Sequence, residues 1–301
     1  RSLAGATAAF PIDAGLHRKL LLLAREHHAT LFMVMHAALA VLLSRMTGSG
    51  DVAIGTPIAG RGEAALDDLV GMFVNTLVLR TPVEPGDVFT DVLARARDTD
   101  LGAFGHTDVP FESVVDELAP GRSTSHSPLF QVLLEFQNTV RAHLELPGLT
   151  VEAVDVDPGV AKFDLQLSLA EYHDEKGTAA GMSAAFLYAT DVFDRSSVEG
   201  FGERFVRVLR AVVDDPAVVV GDIPVLGAVE RDLVLDRWNR KGVAADAQTV
   251  SSCSRGWPRR PGRHRDRVRR RDADLRRTGR AVEPVGPVAD RRGCGTSRWS
   301  R

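Results

Sequence analysis

Ile54-Gly55-Thr56-Pro57-Ile58-Ala59-Gly60-Arg61, Gly71-Met72-Phe73-Val74-Asn75-Thr76, His106-Thr107-Asp108-Val109-Pro110-Phe111-Glu112 and Ser127-Pro128-Leu129-Phe130-Gln131-Val132 follow one another along residues 51–132. Taken singly, each block is an ordinary turn or a Pro-Phe pair. Their order and spacing make them a pattern, and the neighbouring elements fall into place around it. Residues 52–57 read as a short strand entering the first block. Residues 75–83 leave the second block with a loose alternation that suits a strand covered on both faces. Pro110 suits the first turn of a short helix, and 129–136 is an apolar run of strand length.

Working outward, Asp13 is placed to cap a helix over 14–27 whose Leu16, Leu20 and Leu23 share a face. A second helix over 30–45 is apolar almost all round and stops near Gly48, which predicts burial. Phe89, Val92 and Leu93 give helical spacing over 87–99. Downstream, 163–169 and 182–188 read as strands, and Val198, Phe201, Phe205, Val208 and Leu209 line one side of a helix over 196–213. Strands alternating with helices predict an α/β fold, a mixed sheet with helices packed on it.

The net charge of −3 over 301 residues hides two unlike parts. Residues 251–301 carry 16 Arg, no Lys and 5 acidic side chains, whereas residues 1–250 carry 21 basic and 35 acidic ones. Both cysteines, Cys253 and Cys294, fall in the basic part, which leaves the rest of the chain without a disulfide or a CxxC metal site. The longest apolar run, 31–43, is interrupted by His36 and too short for a bilayer. No signal-peptide pattern opens the chain. These features predict a cytoplasmic protein without a membrane partner.

The four blocks together resemble the second half of a condensation domain of nonribosomal peptide synthetases, over about 10–250. The resemblance implies a chloramphenicol-acetyltransferase-like fold, in which two similar α/β halves meet in a V around a tunnel. One half-domain, the C-terminal subdomain, would occupy 1–226, followed by a condensation-adenylation linker over 227–250 and a tail over 251–301. Ile223-Pro224-Val225-Leu226 and Trp238-Asn239 carry the likeness to that linker. The family's chemistry is amide-bond formation between aminoacyl or peptidyl thioesters. Its partners are carrier-protein domains and an adjacent adenylation domain. Substrates ride on the carriers' phosphopantetheine, and no cofactor binds the chain itself.

The family's catalytic signature, His-His-x-x-x-Asp-Gly, has no counterpart in this sequence. His27-His28 is followed by Ala29-Thr30-Leu31, with neither Asp nor Gly where the signature needs them. A helix end, where the dipole favours histidine, accounts for that pair. No residue is therefore a catalytic candidate, and the expectation is a fragment, cut at its start, that forms no amide bond alone. A non-catalytic carrier-protein docking module and a standalone acyltransferase of the same fold are the alternatives.

By resemblance, six residues line the substrate tunnel or shape it. Arg61 matches an arginine that pairs with the signature's aspartate, a carboxylate suited to its planar fork. Asn75 falls near the tunnel floor. His106 and Asp108 belong to the block the family writes His-Gln-Asp-x-Pro-Phe-Glu, with Asp108 expected to cap the helix after Pro110. Arg122 matches the fourth block, where Ser127 replaces an asparagine and offers one hydroxyl instead of an amide. Glu171, His173, Asp174 and Glu175 read as a solvated turn rather than a metal site.

Arg-rich arms bind phosphate, but natural ones mix Lys with Arg. Sixteen Arg beside no Lys fits GC-rich codons translated out of frame. Codons permitted for 273–295, shifted by one base, spell a stretch resembling the opening motif of an adenylation domain. The expectation for 251–301 is a frameshifted, disordered tail with no specific nucleic-acid partner.

Overall fold

The chain enters through β1 (Gly5–Ile12), turns at Asp13 and folds back through α1 (Ala14–Glu26) and α2 (Leu31–Thr47). Asp13 makes the turn, because its carboxylate accepts from the Leu16 amide at 2.9 Å and so caps α1. That amide holds the Asp13 carboxyl below the usual carboxylate range. Thr30 caps α2 through the Met33 amide, and Gly48, at φ 72°, ends it in the left-handed conformation. Every side chain of α2 from Met33 to Leu42 is buried, as its all-round apolar character requires.

The remaining elements are β2 (Asp51–Ala59), β3 (Val74–Pro82), α3 (Phe89–Phe104), α4 (Phe111–Leu118), β4 (Val132–Gln137), β5 (Leu165–His173), β6 (Ala179–Ala189), α5 (Arg195–Asp214) and the short α6 (Ala228–Asp232). These come from a computed structural model that describes residues 2–59, 69–118, 127–137, 159–174 and 176–239. Arg61, Arg122, Glu175, residues 240–250 of the expected linker and the basic segment 251–301 lie outside the described residues.

Six strands form one sheet in the order β1-β6-β5-β4-β2-β3. Strands β2, β4 and β5 run parallel through its centre, while β3, β6 and β1 pair antiparallel with their neighbours. The sheet is mixed with helices packed on it, as the sequence predicts.

Strand alternation sorts the side chains between two faces. Ile12, Ile54, Leu134, Leu167, Leu169 and Phe186 belong to the core shared with α1, α2, α3 and α5. Phe10, Phe186 and Phe205 meet there with ring centroids 5.4 to 6.5 Å apart. The intervening residues of the central strands, among them Gly55, Leu133, Glu135, Gln166 and Ser168, project to the opposite face. That face carries the site described below.

Residues Arg1–Leu233 make one compact unit and Val234–Arg301 a second. In the described part of the second, Asn239 Nδ2 donates to the Val234 carbonyl at 2.6 Å. Among the described residues no single helix is long and apolar enough to cross a membrane.

Candidate functional site at the junction of the four blocks

Blocks far apart in the chain meet at one corner of the sheet. The parallel register sets Gly55 of the first block beside Leu133, three residues beyond Phe130 of the fourth. Leu129 takes a left-handed φ of 65°, and the Phe130 amide donates to the Pro128 carbonyl at 2.8 Å. This tight turn lays the Phe130 ring over the backbone of Gly55. A Cβ at position 55 would lie 2.2 Å from the ring, so the first block needs glycine there. Phe111 of the third block and Phe163 flank the same ring, with centroids 5.7 and 5.3 Å away.

The second block is tied in by polar contacts. Asn75, opposite Ile58 in the β2–β3 register, donates its Nδ2 protons to the carbonyls of Thr107 and Val109 at 3.0 and 2.8 Å. Its Oδ1 accepts from the amides of Thr76 and Phe111 at 2.8 and 3.1 Å. Two carbonyls on one end and two amides on the other fix the side-chain orientation and use its full bonding capacity. Asn75 thus pins the loop of the third block to the start of β3.

At a net 0.5–1.5 kcal/mol per hydrogen bond, discounted for partial exposure, Asn75→Ala should cost about 2 kcal/mol in urea unfolding. Asn75→Asp should cost at least as much, since it aims a carboxylate at two carbonyl oxygens. A loss below about 0.5 kcal/mol for both variants would show that the loop holds without this residue.

The other expected residues separate into three situations. His106 is exposed, and its Nδ1 donates to the Gly102 carbonyl at 2.8 Å, closing α3. Asp108 is exposed on the pinned loop, and it is not what satisfies the start of α4: Asn75 takes the Phe111 amide, and the Pro110 carbonyl takes those of Ser113 and Val114. Ser127 is partly buried at the entry to the Phe130 turn, and its carbonyl accepts from Gln131 Nε2 at 3.0 Å. Arg61 and Arg122 fall outside the described residues. His27 and His28 close α1, through amide bonds to Leu23 and Arg25 carbonyls, with His28 at φ 52°.

Several polar groups escaped the sequence. Glu171 is not part of a solvated turn: it lies on β5, and its Oε1 is 2.7 Å from Nε2 of the buried His17. His17 Nδ1 accepts from the Gly181 amide, so the ring donates through Nε2. Asp174 does make the turn, accepting the amides of Lys176 and Thr178. His36 and Asp100 are fully buried with Nδ1 and Oδ1 2.8 Å apart. On the sheet face that carries the junction, Glu135 Oε2 accepts from Gln166 Nε2 and Ser168 Oγ, both at 2.8 Å. Glu135 carried a signal, as a carboxylate within the run Val132-Leu133-Leu134-Glu135-Phe136.

The corner is therefore a rigid wall rather than a set of reacting groups. Asn75, Phe111 and Phe130 shape it, and Glu135 stands beside it. Among the described residues no cluster of three His, Cys, Asp or Glu side chains could hold a metal ion.

A family model described as Condensation domain matches residues 1–235. A nonribosomal peptide synthetase of Salinispora arenicola is 46% identical over 257 residues, which are 85% of this chain and 3% of that protein. Among solved structures, the X-domain from teicoplanin biosynthesis in complex with OxyB superposes with a TM-score of 0.68 at 31% identity, covering 74% of this chain and 48% of that one. The first condensation domain of the CDA synthetase shares the fold with a TM-score of 0.60 at 23% identity, covering 75% of this chain and 49% of that one. The chain thus spans about half the length of these solved structures and a small part of the curated relative.

Proposed function

The chain belongs to the condensation-domain family, and from that premise we propose that it supplies one half of such a domain, the half that forms one wall of the substrate tunnel. Domains of this family form amide bonds between thioesters carried on the phosphopantetheine arms of partner carrier domains. The observation that carries the reading is the meeting of Gly55, Asn75, Phe111 and Phe130, one from each block, at a single corner of the sheet. Arg61, Asn75, His106, Asp108, Arg122 and Ser127 are read as residues that shape this wall, none of them as a catalyst. Carrier domains and an adjacent adenylation domain are the expected partners.

A half-domain needs a surface for the other half. Val70, Met72 and Val74 are 104%, 95% and 62% exposed, and Leu69 and Val109 are exposed beside them in sequence or across the Asn75 contact. Such a run of exposed apolar side chains at the start of a strand marks an interface. Its occupant under this reading is the half that carries His-His-x-x-x-Asp-Gly.

The test is amide formation from loaded donor and acceptor carrier proteins. The chain alone should give background rates, since a positioned general base contributes about 10²–10⁴-fold and the sequence holds no His-His-x-x-x-Asp-Gly. Adding a separately expressed first half that bears the signature should raise the rate and protect Met72 from oxidation. Turnover by the chain alone, or no association between the halves, would end the reading. The solved complex of the related X-domain with OxyB favours docking as the second reading. Carrier binding without turnover in the reassembled pair would decide for it.

A further inference from the structure

Glu135 is the one carboxylate on β4, and the alternation of that strand puts it on the face opposite the helical core, with Gly55 and Leu133. It is partly buried. Its Oε2 is held by Gln166 Nε2 and Ser168 Oγ, and Gln166 Nε2 also reaches Ser168 Oγ at 3.1 Å. Ser168 is its direct partner in the β4–β5 register, so the backbone fixes the group as well. Both donors are neutral. Among the described residues no Lys, Arg or His pairs with this carboxylate, and Oε1 takes part in no hydrogen bond.

A partly buried carboxylate normally recovers its lost hydration from a cation. Here the fold spends a glutamine and a serine on orienting the group without neutralising it. Among the described residues this leaves Oε1 as an acceptor without a donor. A carboxylate oxygen held in place by neutral donors matches a primary ammonium, whose N–H groups are all donors. The location agrees. Glu135 lies two residues beyond Leu133, so about 7 Å along the strand from the Gly55–Phe130 junction and on the same face.

We propose that Glu135, oriented by Gln166 and Ser168, receives the ammonium group of an aminoacyl substrate at this wall. The proposal rests on the condensation reading for the identity of the amine's carrier. It concerns recognition alone, and the bond-forming step uses other groups.

The experiment is a titration of the full chain, followed by NMR at the Gln166 side-chain amide and the Ser168 backbone amide. Two probes are used, alanyl-pantetheine with an amide in place of the thioester, and the same compound N-acetylated. The free amine should move both signals and bind about tenfold or more tightly than the acetylated compound, the ratio expected for one charge-assisted hydrogen bond. Glu135→Gln, which keeps the shape, should abolish that preference. Ser168→Ala should weaken it less, and both variants should unfold at temperatures close to the parent's. Equal binding of both probes, binding of neither, or a preference that survives Glu135→Gln overturns the proposal. The condensation reading is judged apart from this, by the amide-forming assay of the reassembled halves, which uses the unchanged chain.

Discussion

Gly55→Ala should destabilise the chain by about 2–4 kcal/mol, although it adds a single methyl group. The added carbon would stand 2.2 Å from Phe130 Cε2, far inside contact distance. The ring has nowhere to go. It is 1% exposed, flanked by Phe111 and Phe163, and tethered through a left-handed Leu129. Relief must come from β2, whose register with β4 sets Gly55 beside Leu133. A double-mutant cycle isolates the effect. Phe130→Ala alone should cost about 3–5 kcal/mol through the cavity it leaves. Combined with Gly55→Ala it should cost less than the sum, by about 1–3 kcal/mol, because the methyl then fills part of that cavity. Strict additivity in urea unfolding would mean that the ring does not enforce glycine at this position.

That contact also explains what the sequence could and could not carry. The four blocks were visible as motifs because each is confined by backbone geometry: glycine under a ring, asparagine bridging two strands of peptide groups, proline opening α4. Helices α1, α2 and α5 were legible from apolar spacing, with Asp13 and Gly48 acting within one turn of their own positions, while Thr30, read as the first residue of α2, is its cap. Strand β1 was not. Gly5-Ala6-Thr7-Ala8-Ala9-Phe10-Pro11-Ile12 is alanine-rich and contains a proline, which an edge strand tolerates and a central one does not. Helix α3 runs to Phe104, past the expected end at 99, because the next core-facing position is filled by the charged Asp100. Its partner, His36, is 64 residues earlier, and no local pattern announces such a pairing. Asn75 was named from resemblance, but its four partners lie on the Thr107–Phe111 loop and its own strand, a geometry that spacing does not encode.

His36→Ala should be among the most destabilising single changes in the chain, at about 3–5 kcal/mol. His36 on α2, Asp100 on α3 and Thr81 on β3 are each fully buried. The His36 Nδ1 to Asp100 Oδ1 distance is 2.8 Å, with an alignment that is poor for a directed hydrogen bond. On the other side, Nε2 meets Thr81 Oγ1 at 3.4 Å. Neither Asp100 oxygen has a hydrogen-bond partner among the described residues even with His36 in place, so removing the imidazole 2.8 Å away takes from a buried carboxyl group the polar neighbour it has, and an isolated interior carboxyl group costs more than a lost pair. The remedy separates that cost from simple loss of packing. His36→Leu with Asp100→Ala removes both polar groups, and an apolar replacement of a buried pair is often close to neutral. The double variant should therefore unfold at a higher urea concentration than His36→Ala. If it is instead the weaker of the two, the pair stabilises the junction of α2, α3 and β3 through its own attraction, and the buried carboxylate is not the source of the loss.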